Sequence, residues 1–245
     1  MKYFKIVLSY DGTKYHGWQR QSNTANTIQN KIEFLLSELF SQEIEVNASG
    51  RTDAGVHALM QVISFKADTQ LSCSEIKYFL DLYLPKDIGI IEISPVDKNF
   101  HARISCKGKT YLYRIWNSPL PCIFNRKYVF EYSDSLNIDL MKEASQYLLG
   151  THDFKSFCAA KKMKHSTVRT ITSIDFSESN NIISIRYTGN GFLYNMVRII
   201  TGTLIDVGSG KIEPSYVEEI LLSKDRSNAS FTAPAKGLFL ENLYY

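Results

Sequence analysis

The stretch "EIEVNASGRTDAGVHALMQVISFKA" (43–67) holds two candidate strands, "EIEVNAS" and "QVISFKA", on either side of a loop of small residues. Within it "ASGRTDAGVHA" (48–58) sets one arginine and one aspartate two apart among Ala, Ser and Gly. Small residues let a backbone approach something closely and supply the positive φ angles that sharp loops need. An Arg-x-Asp placed there is either a turn device or a reactive pair. Aspartate in a Gly-rich loop commonly bonds its own turn. A carboxylate that attacks carbon must instead stay ionised, which a nearby guanidinium favours and partial burial opposes.

Working outward, "YFKIVLSY" (3–10) alternates like a strand, and "NTIQNKIEFLLSELF" reads as a helix. Asn26 and Gln29 stand at capping-box spacing, and Ile28, Ile32, Leu35, Leu36 and Leu39 share one face. "SEIKYFLDLYL" reads as a helix stopped at Pro85, and "IGIIEISPV" as a strand. The first half thus follows a strand-helix-strand-strand-helix-strand order, close to a ferredoxin-like split unit. The second half opens on the strand "KTYLYRIWN" (109–117), followed by a helix near 137–149 that ends at Gly150. "RTITSIDFSES" and "NIISIRYTG" form a hairpin around Ser179-Asn180-Asn181, a helix runs from about Phe192, "SYVEEILLS" is a shorter helix, and "GLFLENLYY" closes as a strand. The expected architecture is α+β in two halves, 1–105 and 106–245, each a sheet with two helices. A cleft between two such halves is a natural ligand site.

The composition, 44% hydrophobic and 22% charged over 245 residues, is that of a globular protein. No apolar run approaches the roughly 20 residues of a membrane helix, and "MKYFKIVLSYDG" enters strand pattern without a signal-like block, so a cytoplasmic protein is expected. Cys73, Cys106, Cys122 and Cys158 are scattered without zinc-ligand spacing, and no metal site is expected. Two glycine patterns fail. "GTKYHGWQ" (12–19) has phosphate-loop spacing but continues Trp-Gln where Lys-Ser/Thr is required, and "GNGFLY" (189–194) lacks the third glycine of a dinucleotide fingerprint.

The net charge is +3, and 17 of the 28 Lys and Arg follow residue 105. "KSFCAAKKMKHSTVR" (155–169) carries five of them and no acid, which suits either a solvated loop or a phosphate-binding stretch. On a helical wheel Gly191, Asn195, Arg198 and Gly202 form a narrow small or polar face, read either as exposed surface or as a face turned toward a cleft. In "KTYLYRIWN", Lys109, Tyr111, Tyr113 and Ile115 share one side of the strand. A tyrosine there is either packing or a platform on which a base can stack.

Taken together, "YDGTKYHGWQRQ", "ASGRTDAGVHA", "KTYLYRIWN", "GTHDFKSF", "TVRTI", "GFLYNMVRIITGTL" and "APAKGLFLE", in this order, resemble the tRNA pseudouridine synthase A family over essentially the whole chain. The resemblance implies isomerisation of uridine to pseudouridine in the anticodon stem-loop of tRNA, at positions 38, 39 and 40, without metal or organic cofactor. It implies two halves whose sheets join side by side into one long, mainly antiparallel sheet flanked by helices, with the active site in the cleft. It also implies a homodimer, with the tRNA lying across both subunits. Asp53 matches the catalytic aspartate, Tyr111 the base-stacking tyrosine, Arg198 the arginine paired with the aspartate, Arg51 the arginine that helps displace the target nucleotide, and Leu238 an apolar pocket wall. With an RNA substrate in view, the basic segment reads as an RNA contact through Lys161, Lys162, Lys164 and Arg169. A non-catalytic RNA-binding protein and a small-molecule enzyme using the same cleft are the rival readings.

Overall fold

The computed structural model describes residues 1–160 and 166–245. The chain divides into two compact units, Met1–Lys107 together with Phe239–Tyr245, and Gly108–Leu238. Both are mixed α+β.

In the first unit, β1 (Lys2–Tyr10) lies between β4 (Ile88–Pro95) and β3 (His57–Ala67), antiparallel to both, and β2 (Asn47–Ala48) pairs with β3. The order β4-β1-β3-β2, with α1 (Ile28–Phe40) and α2 (Cys73–Tyr83) as connections, is the expected split βαβ arrangement. Ile6, Leu8 and Ile63 from the sheet, Ile28, Ile32 and Leu36 from α1, and Ile76 and Leu80 from α2 are all essentially buried. Three-to-four residue spacing on the helices and alternation on the strands thus put one apolar face of each into the core.

The cap of α1 differs from the sequence expectation. Thr27, not Asn26, is the N-cap: its side chain accepts from the Asn30 amide, while the Asn26 side chain donates to the Lys14 carbonyl at 2.6 Å. Thr27 is fully buried, so removing its hydroxyl orphans a helix N–H. Thr27→Ala is expected to cost about 1 kcal/mol, read as a lower urea midpoint with an unchanged slope. The capping box falls on α2, where Ser72 and Glu75 bond reciprocally. That exchange holds the Glu75 carboxyl below its usual range. The expected strand 43–49 shrinks to two residues because a side chain takes its amide: Val46 N donates to Glu33 Oε1 at 3.0 Å.

The closing strand β10 (Leu238–Tyr244) begins with Leu238 in the second unit and continues into the first, where it runs parallel to β3 with Phe239 opposite His57 and Leu240 opposite Ala58. Sequence reading places this strand with the second half. Its long-range parallel register leaves no local signal.

In the second unit, β5 (Gly108–Asn117), β9 (Ile182–Gly189), β8 (Val168–Ser179) and β7 (Gly150–Asp153) follow one another antiparallel, and β6 (Phe130–Tyr132) pairs parallel with β5. The β8–β9 hairpin turns on Asn180 and Asn181, both left-handed (φ 49° and 61°), the pair of positive angles a type I′ turn demands. The helices are α3 (Ile138–Gln146), α4 (Met196–Gly208) and α5 (Tyr216–Ser223). Among the described residues no helix is long and apolar enough to cross a membrane, and no group of three or more His, Cys, Asp or Glu is placed to hold a metal ion.

Candidate active site

In the first unit the loop 49–56 joins β2 to β3 and carries Arg51, exposed, and Asp53, half-buried. Its tip is a turn: the Val56 amide donates to the Asp53 carbonyl at 3.1 Å, and Gly55, third of the four residues, has φ 76°, the signature of type II. The turn is therefore made by the backbone of Asp53 and the freedom of Gly55.

The loop is held from three directions. From below, the buried Gln61 side chain accepts from Ser49 Oγ at 2.6 Å and donates to the Gly50 carbonyl at 2.9 Å. From the end of β1, the Tyr10 hydroxyl shares a 2.8 Å hydrogen bond with Thr52 Oγ1. From the side comes the segment after β1. Trp18 N donates to the Thr52 carbonyl at 3.0 Å, Gly55 N to the Tyr15 carbonyl at 3.3 Å, and Gly12 N to His57 Nδ1 at 3.1 Å. The glycines that fail as a phosphate loop are what let this segment close in. A Cβ on Gly12 would stand 2.0 Å from the Val56 carbonyl oxygen, and one on Gly17, whose φ is 91°, 2.8 Å from that of Thr52. The imidazole of His57 stacks on Phe239, centroids 4.7 Å apart.

In the second unit Tyr111, Tyr113, Arg198 and Leu238 belong to one arrangement of β5, α4 and the segment 229–238. Tyr111 lies opposite Tyr187 on β9, whose hydroxyl bonds Thr201 of α4 at 2.9 Å. The Tyr111 ring meets the edge of Phe192 at 5.2 Å and 85°. Tyr113 donates to the Pro234 carbonyl at 2.7 Å. Burial, more than any neighbour, pushes its hydroxyl pKa up, while the charge of Arg198 pulls it back. Arg198 donates through Nε to the Ala233 carbonyl at 2.7 Å and through a terminal nitrogen to Asn195 Oδ1 at 2.9 Å. Gly237 fits against Tyr113 and the Arg114 carbonyl, and Leu238, next along the chain, is buried.

Two expectations change here. The helix starts at Met196, not near Phe192, because Asn195 is left-handed (φ 60°) and breaks the helical path; Gly191 is therefore off the helix. Gly202 does not open a face to a cleft, since a Cβ there would stand 2.0 Å from the Phe231 carbonyl oxygen. Its smallness admits the 229–234 backbone, whose Ala233 amide donates to the Arg198 carbonyl at 3.1 Å.

In the basic segment, Lys161, Lys162 and Lys164 lie outside the described residues. Its ends are tied: the Phe154 amide donates to the Thr167 carbonyl at 3.1 Å, the Thr167 hydroxyl donates to Asp153, and Lys224 stands 3.3 Å from that carboxylate. These contacts, the Thr167 hydroxyl first, hold the Asp153 carboxyl below its usual range. Arg169 spends one terminal nitrogen on the carbonyls of Ser166 and Val168 at 2.9 and 2.6 Å.

The family model for tRNA pseudouridine synthase matches residues 6–104 and 144–245, spanning both the Asp53 loop and the Arg198 helix. The chain belongs to the tRNA pseudouridine synthase family. It is 49% identical over 245 residues to the tRNA pseudouridine synthase A of Bacillus sp. (strain KSM-64), covering 100% of each chain. Similar too are "tRNA pseudouridine synthase A 2" of Clostridium tetani (strain Massachusetts / E88), 46% identical over 242 residues with 98% of each chain covered, and "tRNA pseudouridine synthase A 1" of the same organism, 44% identical over 245 residues with 100% of each covered. A solved structure, "Crystal Structure of a Cbf5-Nop10-Gar1 Complex", matches with a TM-score of 0.40 at 10% identity, over 97% of this chain and 48% of that one.

As an RNA pseudouridine synthase the protein is an isomerase that converts uridine to pseudouridine in tRNA. In this synthase, sequence reading misses the anchoring roles of Thr52 within the Asp53 loop and of Tyr10 and Gln61 beneath it, and the places of Phe192 and Pro234 beside the two β5 tyrosines. Phe192 is read as the start of a helix and as part of the rejected "GNGFLY" run, and neither reading sets it beside Tyr111. The rest depend on contacts far apart in the chain.

Proposed function

We propose that this synthase modifies the anticodon stem-loop, at tRNA positions 38, 39 and 40, with Asp53 as its nucleophile, acting as a cytoplasmic homodimer on which the tRNA lies across both subunits. The observation that carries the reading is the construction of the Asp53 loop. A half-buried carboxylate whose peptide neighbours are fixed by Tyr10, Tyr15 and Trp18 is preorganised in a way that a solvated turn does not require.

The reaction breaks the C1′–N1 bond, turns the uracil, and joins C5 to C1′; N1 gains a proton and C5 loses one. A base stacked in a stem is unreachable, so the nucleotide is flipped out at a cost of a few kcal/mol that protein contacts offset. Arg51, exposed on the loop, assists that displacement. Asp53 attacks either C1′ or C6 of the uracil, and its bond to that carbon breaks again by the time pseudouridine is released, which regenerates the carboxylate. The Arg198 guanidinium keeps that carboxylate ionised and oriented for attack. Tyr111 stacks on the detached uracil and Leu238 walls its pocket, so that the ring rejoins the sugar instead of leaving. Excluding water at this stage separates isomerisation from hydrolysis.

The experiment is tritium release from tRNA labelled at uracil C5. Release is expected with a tRNA carrying uridine at positions 38, 39 or 40 and is expected to vanish when those uridines become cytidine; release that persists removes the anticodon reading. Sedimentation at a mass twice 28.0 kDa is the expected dimer result, and the monomer mass removes that part. The basic segment predicts a further outcome. Converting Lys161, Lys162 and Lys164 to alanine should weaken tRNA binding, and the slope of log affinity against log salt should fall by about 0.7–0.9 for each phosphate that is no longer neutralised.

A further inference from the structure

We propose that Tyr10 is a positioning residue of this synthase, its hydroxyl fixing Asp53 through Thr52. The proposal rests on Asp53 being the reactive carboxylate.

Tyr10 is the last residue of β1, opposite Ala58 of β3, and is 4% exposed; Thr52 is 6% exposed. Their 2.8 Å hydrogen bond is sealed beneath the loop. Packing alone does not call for it. The Tyr10 ring already meets Trp18, centroids 6.0 Å apart, and a phenylalanine facing a valine would fill the same space without two buried polar atoms to satisfy. The pair nevertheless sits one peptide before Asp53. Thr52 is gripped twice, at its side chain by Tyr10 and at its carbonyl by the Trp18 amide at 3.0 Å. Beyond Asp53 the chain is gripped again, by the turn to Val56 and by Gly55 N on the Tyr15 carbonyl. Of these anchors only the Tyr10–Thr52 bond joins two side chains, so it can be deleted without touching the backbone.

Nucleophilic attack requires the reacting atoms near 3 Å and aligned, and a misplacement of about 1 Å costs roughly a hundredfold. Releasing Thr52 from β1 frees the residue before Asp53 to rotate. The expected consequence is a slower chemical step, not weaker tRNA binding.

The test uses Tyr10→Phe, Thr52→Val, the double variant and Asp53→Asn in the full-length protein. Readouts are thermal stability, tRNA affinity, and the single-turnover rate of tritium release where each variant is fully folded. Tyr10→Phe leaves the buried Thr52 hydroxyl without its partner, and Thr52→Val leaves the Tyr10 hydroxyl with Gln61 alone, so each single variant should lose stability. The double variant removes both hydroxyls, and Gln61, which loses its contact with Tyr10, keeps its bonds to Ser49 and Gly50, so its stability should return toward wild type. Its rate should nevertheless stay at least about tenfold low, as should that of Tyr10→Phe, with tRNA affinity unchanged. A rate that recovers together with stability in the double variant, or a wild-type rate in Tyr10→Phe, overturns the proposal. Wild-type release by Asp53→Asn removes the reading of Asp53 and this proposal with it. An inactive Asp53→Asn beside a fully active double variant removes only the role of Tyr10.

Discussion

Asp53→Asn should abolish tritium release from tRNA labelled at uracil C5, lowering the rate by at least about a thousandfold, the scale on which loss of a covalent nucleophile acts. Binding of tRNA should stay within a few-fold of wild type. The substitution is close to isosteric, and the turn at the loop tip uses the Asp53 carbonyl, which asparagine keeps. The anchors through Thr52, Gly55 and Gly50 are untouched. What disappears is the negative charge and the oxygen proposed as the nucleophile, since an amide does not attack carbon at neutral pH. Equal losses of rate and tRNA affinity would instead show that the side chain supports the loop or the RNA. Unchanged release would end the nucleophile reading and leave Asp53 as a turn residue.

Tyr111→Leu should lower kcat/KM for tRNA by about 5- to 150-fold, which corresponds to the roughly 1–3 kcal/mol of a base stacked on an aromatic ring. Leucine retains part of the apolar volume against Phe192 and so limits the cavity that alanine would leave. Tyr111 is 8% exposed and lies opposite Tyr187, so stability will fall somewhat as well, and rates must be compared on folded protein. The signature of a stacking role is a loss larger for the chemical step than for tRNA affinity, because the ring acts on the detached uracil. A variant with reduced stability and unchanged kcat/KM would return Tyr111 to packing alone.

Much of the architecture can be read locally. The alternation of β1, β3, β8 and β9, the apolar faces of α1 and α2, and the Asn180-Asn181 turn each follow from neighbours in the chain. Where reading fails, the deciding contact lies elsewhere. The strand before the Asp53 loop is cut short because Glu33 of α1 takes the Val46 amide. The apolar spacing of Leu193, Val197 and Ile200 suggests a helix running back to Phe192, yet Asn195 turns left-handed with no glycine or proline to announce it.

The site divides the same way. "GRTDAG" presents its turn and its carboxylate together, and both features occur, the turn on the backbone and the carboxyl left to the side chain. Whether such an aspartate reacts is not decided within six residues. The platform beneath it comes from residues 10–18 and Gln61, joined to the loop by contacts across some 10 to 45 positions of sequence. Gly12 and Gly17 show the point best. As a phosphate-loop spacing they fail, and their smallness finds its use only when Val56 and Thr52 are seen 2.0 and 2.8 Å from where a Cβ would stand. Arg198 is legible as a polar break in an apolar helix, but its bonds to Ala233 and Asn195 are not.

The most direct measurement is a nucleotide-resolution map of pseudouridine in an unmodified tRNA transcript after incubation with the purified protein, run beside Asp53→Asn. Pseudouridine is expected at whichever of positions 38, 39 and 40 carry uridine, at no other position, and in none with the variant. Pseudouridine elsewhere in the tRNA, or the same map from Asp53→Asn, would contradict it.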